Sequence, residues 1–139
     1  MMARLPDRLY VDKEDRELYD HHTVKSEILR GRERKEQFLF AMAIGFKSQV
    51  KRPLGTREGF FLAKNMRPED EALIDAVAIH KTGSADVLSD REAVFRIAEE
   101  YAHAGIRLLY DSVTSGQPGS FFKKLEVELF SLLEDLDSD

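Results

Sequence analysis

Seven consecutive apolar residues, Phe38 to Ile44 in "FLFAMAIG", constrain the fold of this chain more than any other feature. A helix with no polar residue through nearly two turns has no side to offer to water, so other elements must surround it. A chain of 139 residues can supply those elements as one domain with a real core. The balance of 42% hydrophobic and 34% charged residues fits such a domain and not a disordered tail. We read residues 1–139 as a single mainly helical domain, with 1–11 and 134–139 as flexible ends.

The punctuation around that run divides the chain into about five helices. A first helix is expected in "DKEDRELYDHH" with Asp12 as its N-cap. A second begins near Glu33 and stops near Gly45, a residue suited to the left-handed turn after a helix end. Residues 46–65 hold Pro53, Gly55 and Gly59 and lack helical spacing; Val50 and "GFFLAKN" would be short strands flanking "KRPLGTRE", a small β-hairpin or loop near residues 48–64. The third helix starts with Pro68 at its first position, acids at 69 to 71, and ends before Gly83. Ser89 and Glu92 form a capping-box pattern for the fourth, whose stripe is Val94, Ile97, Ala98, Tyr101, Gly105, Leu108 and Leu109. Ser120 would cap a fifth helix with a stripe of Phe122, Leu125, Leu129, Leu132, Leu133 and Leu136.

Charge is distributed unevenly. The net charge is −5, yet residues 25–67 hold 11 basic and 4 acidic side chains and residues 68–139 hold 6 and 16. A chain that is mildly acidic on average therefore carries a basic middle, able to neutralise phosphates, and an acidic C-terminal half. No apolar run reaches the roughly 20 residues of a membrane span, and the N-terminus has no apolar leader, so a cytoplasmic protein is expected. With no cysteine, thiolate catalysis, disulfides and cysteine-built zinc sites are excluded, and an iron–sulfur centre is disfavoured.

No catalytic constellation emerges. His21, His22, His80 and His103 lack metal-ligand spacing, and His80 reads as a partner of a helix C-terminus. Glu99 and Glu100 read as a solvated face beside a core Tyr101. "GTREG" has neither the lysine nor the spacing of a phosphate-binding P-loop. Neither cofactor nor metal is expected. The remaining candidate is basic: Lys47, Lys51, Arg52 and Arg57 in the turn, supported by Arg30, Arg32, Arg34 and Lys35, as a phosphate-contacting surface or as ordinary solubilising charge. Phe60 and Phe61 beside it read as core before base-stacking rings.

Taken together, "FLFAMAIGFKSQVKRPLG", "PEDEALIDAVAIHKTGSADVLSD" and "IAEEYAHAGI" resemble the small DNA phosphorothioation-associated (dnd system-associated) proteins over about residues 8 to 110. Positions that carry the likeness include Phe38, Gly45, Lys47, Arg52, Pro53, Leu54, Gly83, Glu99, Tyr101 and Gly105. The resemblance implies a role in a modification and restriction system in which sulfur in the DNA backbone marks self, that is, in antiviral defence; it supplies no catalytic residues. The expectation is therefore a non-enzymatic accessory protein that contacts DNA phosphates. The alternative is an adaptor that docks a larger ATPase, nuclease or modification subunit, or a homodimer formed through a helical stripe.

Overall fold

Two glycines bring the two central helices into contact, and the rest of the fold is arranged around that crossing. In the computed structural model, which describes residues 5–21, 24, 29–115, 127, 129–131 and 133–135, the order is strand β1 (Arg8–Asp12), helix α1 (Asp15–Asp20), helix α2 (Arg34–Lys47), strand β2 (Arg57–Leu62), helix α3 (Pro68–Thr82) and helix α4 (Arg91–Thr114). Short 3-10 turns at Ala63–Asn65 and Ala85–Ser89 join β2 to α3 and α3 to α4. Residues 127, 129–131 and 133–135 are helical as well. A single mainly helical domain with a small β element is the architecture expected.

α4 is buried almost all round: Val94, Phe95, Ala98, Glu99 and the unbroken run Tyr101 to Ile106 are inside. α2 crosses it where both backbones are bare. A Cβ on Gly45 would overlap the Tyr101 carbonyl, and a Cβ on Gly105 would overlap that of Ala41. Gly45 thus serves close approach and does not end the helix, because α2 runs on to Lys47 with Ser48 as C-cap. The end itself is built by Gln49 in the left-handed region (φ 58°), with Val50 N–H donating to Gly45 O and Gln49 N–H to Phe46 O. This is the Schellman pattern with a glutamine at the position glycine usually takes.

The other caps follow residue chemistry closely. Glu36 accepts from Glu33 N–H at the start of α2, and Asp70 accepts from Arg67 N–H at the start of α3, each the carboxylate half of a capping box. Pro68 opens α3 and Gly83 (φ 78°) closes it. Two caps differ from expectation. Asp90, not Ser89, caps α4 by accepting from Ala93 N–H, while Ser89 finishes the preceding 3-10 turn. Asp12 ends β1 and Glu14 stands at the N-cap of α1; the Asp12 carboxylate instead accepts from Glu14 N–H (2.9 Å) and Gly55 N–H (2.7 Å).

The strand in 48–64 also has a different partner. β2 pairs antiparallel with β1, in a register from Arg8 opposite Leu62 to Asp12 opposite Arg57, and Val50 lies in the irregular segment before it. The reason is burial: Leu9 and Val11 of β1, with Phe60 and Phe61 of β2, reach the core, whereas Val50 is exposed. Phe61 packs edge-on against Phe38 and Phe60 against Tyr19, so both phenylalanines are core. Of the expected fifth helix, Leu129 packs against the core, while Ser120, Phe122, Leu125, Leu132 and Leu136 lie outside the described residues.

Candidate nucleic-acid interface

The C-terminal ends of α2 and α3 meet beside the middle of α4, and the residues there form a basic depression with aromatic walls. Phe46, in the last turn of α2, stands edge-on to His80 at the end of α3 (5.1 Å between centroids) and to Tyr101 of α4 (5.6 Å). Lys47, Gln49 and Lys81 complete the lining of a space of about 510 Å³. No carboxylate is among these lining residues. At these helix ends Gly45 O and Phe46 O accept the Schellman bonds of α2, and Ile79 O of α3 accepts from Gly83 N–H. Burial pushes the Tyr101 phenol up, with Lys51 opposing, so the ring is a neutral donor.

The segment after α2 is fastened alongside. Arg52 N–H donates to Glu100 O (3.0 Å) and Lys51 Nζ donates to Glu100 Oε1 (2.9 Å). The guanidinium of Arg52 is thereby held at the surface, exposed and without an ion pair among the described residues, as is the ammonium of Lys47. Lys47, Lys51 and Arg52 are thus brought to one end of the molecule, next to Lys81 and His80. Of the latter two, His80 was legible in the sequence only as a favourable charge at a helix end, and Lys81 was not singled out.

The other basic residues are employed elsewhere. Lys35 is only 9% exposed and lies 3.0 Å from Asp70 while donating to Asn65 O. Burial alone would raise the Asp70 carboxyl, but Arg67 N–H and Lys35 outweigh it and hold the group below the usual range. Arg34 pairs with Asp20 (3.0 Å) and lies over the Phe60 ring; Arg32 pairs with Glu36 (3.3 Å) one turn on. Arg57 stacks over Tyr10 and donates to Glu99 (2.9 Å). Arg30 is exposed, at the end of the molecule where α2 begins. The 14 residues of α2 separate the two groups by about 21 Å, so they do not merge into one tight cluster.

Two internal ionic groups escaped the sequence reading. Glu99 is 2% exposed, not solvated: its Oε2 accepts from Tyr10 N–H and its Oε1 from Arg57. Burial raises its carboxyl, and these two donors only partly offset that. His103 Nδ1 and Asp15 Oδ2 share a 2.6 Å hydrogen bond, with Asp12 3.8 Å from Nε2 and Arg107 3.4 Å from the other Asp15 oxygen. Burial raises Asp15, whereas Asp12 stays low because the Glu14 and Gly55 amides outweigh its own burial. Glu99 joins β1 and β2 to α4 and His103 joins α1 and β1 to it, and a periodicity argument sees only that their helix positions alternate with apolar ones. Among the described residues no set of three His, Asp or Glu side chains is arranged to hold a metal ion.

The molecule is therefore a small helical domain whose buried charges are engaged internally and which brings Lys47, Lys51, Arg52 and Lys81 together where two helices end. The chain belongs to the family of DNA sulphur modification system-associated protein 4, which matches residues 8–130. This family is associated with DNA sulphur modification systems. No curated protein and no solved structure matches the chain. Among the described residues no helix is long and apolar enough to cross a membrane.

Proposed function

We propose that the protein is a non-enzymatic accessory factor of a phosphorothioation-linked modification or restriction system, and that it contacts DNA phosphates through the depression at the ends of α2 and α3. The observation that carries this reading is the lining itself: Lys47 and Lys81 with His80, Gln49 and Tyr101, and no carboxylate among them. Arg52 and Lys51 extend the cationic surface along the adjoining segment, and Arg30 adds charge at the far end of α2. Phosphate contact is the interaction such a surface favours, because each lysine or arginine placed on the backbone releases a condensed counterion.

The test is fluorescence anisotropy on a labelled duplex of about 20 base pairs across a salt series, comparing the protein with a Lys47→Gln, Arg52→Gln, Lys81→Gln variant. Each phosphate contact removed lowers the slope of log affinity against log salt by about 0.9, so the triple variant loses about 2 to 3 from the slope. Arg32→Gln, already paired with Glu36, changes binding little. Absence of binding at about 50 mM salt, or a triple variant that binds like the parent, refutes the reading.

A further inference from the structure

The depression at the ends of α2 and α3 is concave and walled by rings, and the outside of a duplex uses neither property. Paired bases are enclosed in their stack, so a duplex laid over this end would offer phosphates to Lys47 and Lys81 while leaving the rings of Phe46, His80 and Tyr101 idle. The polar groups inside are idle as well. The side chains of Lys47, Gln49, His80, Lys81 and Tyr101 have no hydrogen bond or ion pair among the described residues. For Tyr101 this is unusual, because the residue is only 6% exposed and a buried phenol ordinarily finds a partner.

We infer that the depression receives an unpaired nucleotide of single-stranded DNA, an inference that rests on the DNA-contacting reading above. The unpaired groups match the parts of a nucleotide. The exposed His80 imidazole, edge-on to Phe46 at 5.1 Å, supplies a face on which a base stacks. Lys47 and Lys81 supply cations for the phosphate. The Gln49 amide and the Tyr101 hydroxyl, each able to donate and to accept, suit the polar edge of the base. The space of about 510 Å³ falls within the roughly 300–1,000 Å³ of small-molecule sites. A strand leaving the depression meets Lys51 and Arg52, which Glu100 fastens alongside, so neighbouring phosphates are neutralised too. That continuation separates a strand from a free mononucleotide.

The experiment uses the full chain and anisotropy with three labelled probes of about 12 nucleotides: a single strand, the same strand with abasic sites in place of its bases, and the matching duplex. At about 0.1 M salt the single strand should bind at least about tenfold more tightly than either of the others. Deoxyadenosine monophosphate, lacking the adjoining phosphates, should displace it only at about a hundredfold above the Kd of the strand. His80→Phe keeps a ring and His80→Leu removes it, both at an exposed site and with the same charge. The leucine variant should bind the strand about tenfold more weakly than the phenylalanine variant, with the same salt slope. Should the leucine variant melt lower than its counterpart, the abasic strand carries the test. A single strand that binds no better than the abasic strand or the duplex overturns the inference, as do two His80 variants that bind alike, or displacement by the mononucleotide near the Kd of the strand. Salt-dependent duplex binding then leaves the phosphate-contacting reading standing, whereas binding of no probe at about 50 mM salt removes both.

Discussion

Replacing Gly105 with alanine should destabilise the protein, although alanine is the better helix former. In an unconstrained helix the change is worth about 1 kcal/mol in favour of alanine. Here the new methyl would lie 2.7 Å from the Ala41 carbonyl carbon and 2.9 Å from Gly45 N. These obstacles, and the still nearer Ala41 carbonyl oxygen, are backbone, so no side-chain rotation relieves them, and α2 and α4 must part by more than about 1 Å to restore contact distance. A gap of that size forfeits a quarter to a half of each dispersion contact across the interface. Overpacking of this kind costs about 2–4 kcal/mol, leaving a net loss of about 1–3 kcal/mol. For a chain of this size that is a fall in Tm of roughly 3–12 °C, read by circular dichroism or calorimetry. Gly45→Ala meets the Tyr101 carbonyl and should behave alike. Because one separation accommodates both methyls, the double variant should lose less than the sum of the singles. A Gly105→Ala protein that melts at or above the parent's temperature would show that the two backbones do not touch there.

Two further changes test the other terminus of α2 and its anchor to α3. Gln49→Gly relieves a left-handed side-chain residue and should stabilise by about 0.5–1 kcal/mol in urea melts; a loss would mean that the Gln49 side chain holds the turn. Asp70→Asn keeps an acceptor for Arg67 N–H but leaves the buried Lys35 ammonium without its counter-charge, at a cost of about 2–4 kcal/mol at neutral pH. The Asp70 carboxyl is held below its unfolded value, so its contribution is complete above the ordinary carboxylate range and is lost as pH falls through the lowered folded value. The gap between parent and variant should therefore close below about pH 4, and a gap independent of pH would rule out the ion pair as its source.

How far the chain can be read without its structure depends on whether a residue acts locally or across space. Glu33, Pro68 and Gly83 act on their own helix ends, and spacing alone places them. Phe38 to Ile44 announces an enclosed helix, and the structure encloses it. Gly45 misleads because a glycine near a helix end has two uses, a left-handed cap and a close approach, and only the position of α4 decides between them. Glu99 misleads in the same way: beside Glu100 it reads as surface, yet Tyr10 N–H and Arg57 from distant strands draw it inward. The basic segment was visible as a charge count. That Lys35 is internal, and that Lys81 and His80 join Lys47, follows only from how α2 and α3 converge.

The bond from Tyr10 N–H to Glu99 has a meaning for assembly. Two strands alone leave unpaired amides on their outer edges, and such an edge invites a third strand from another chain. At Tyr10 the amide that would recruit it is already taken by a carboxylate from α4, and the stacked Arg57 covers the ring beside it. A helix side chain thus stands where a neighbouring strand would be. Growth of this sheet is opposed at that point of the β1 edge.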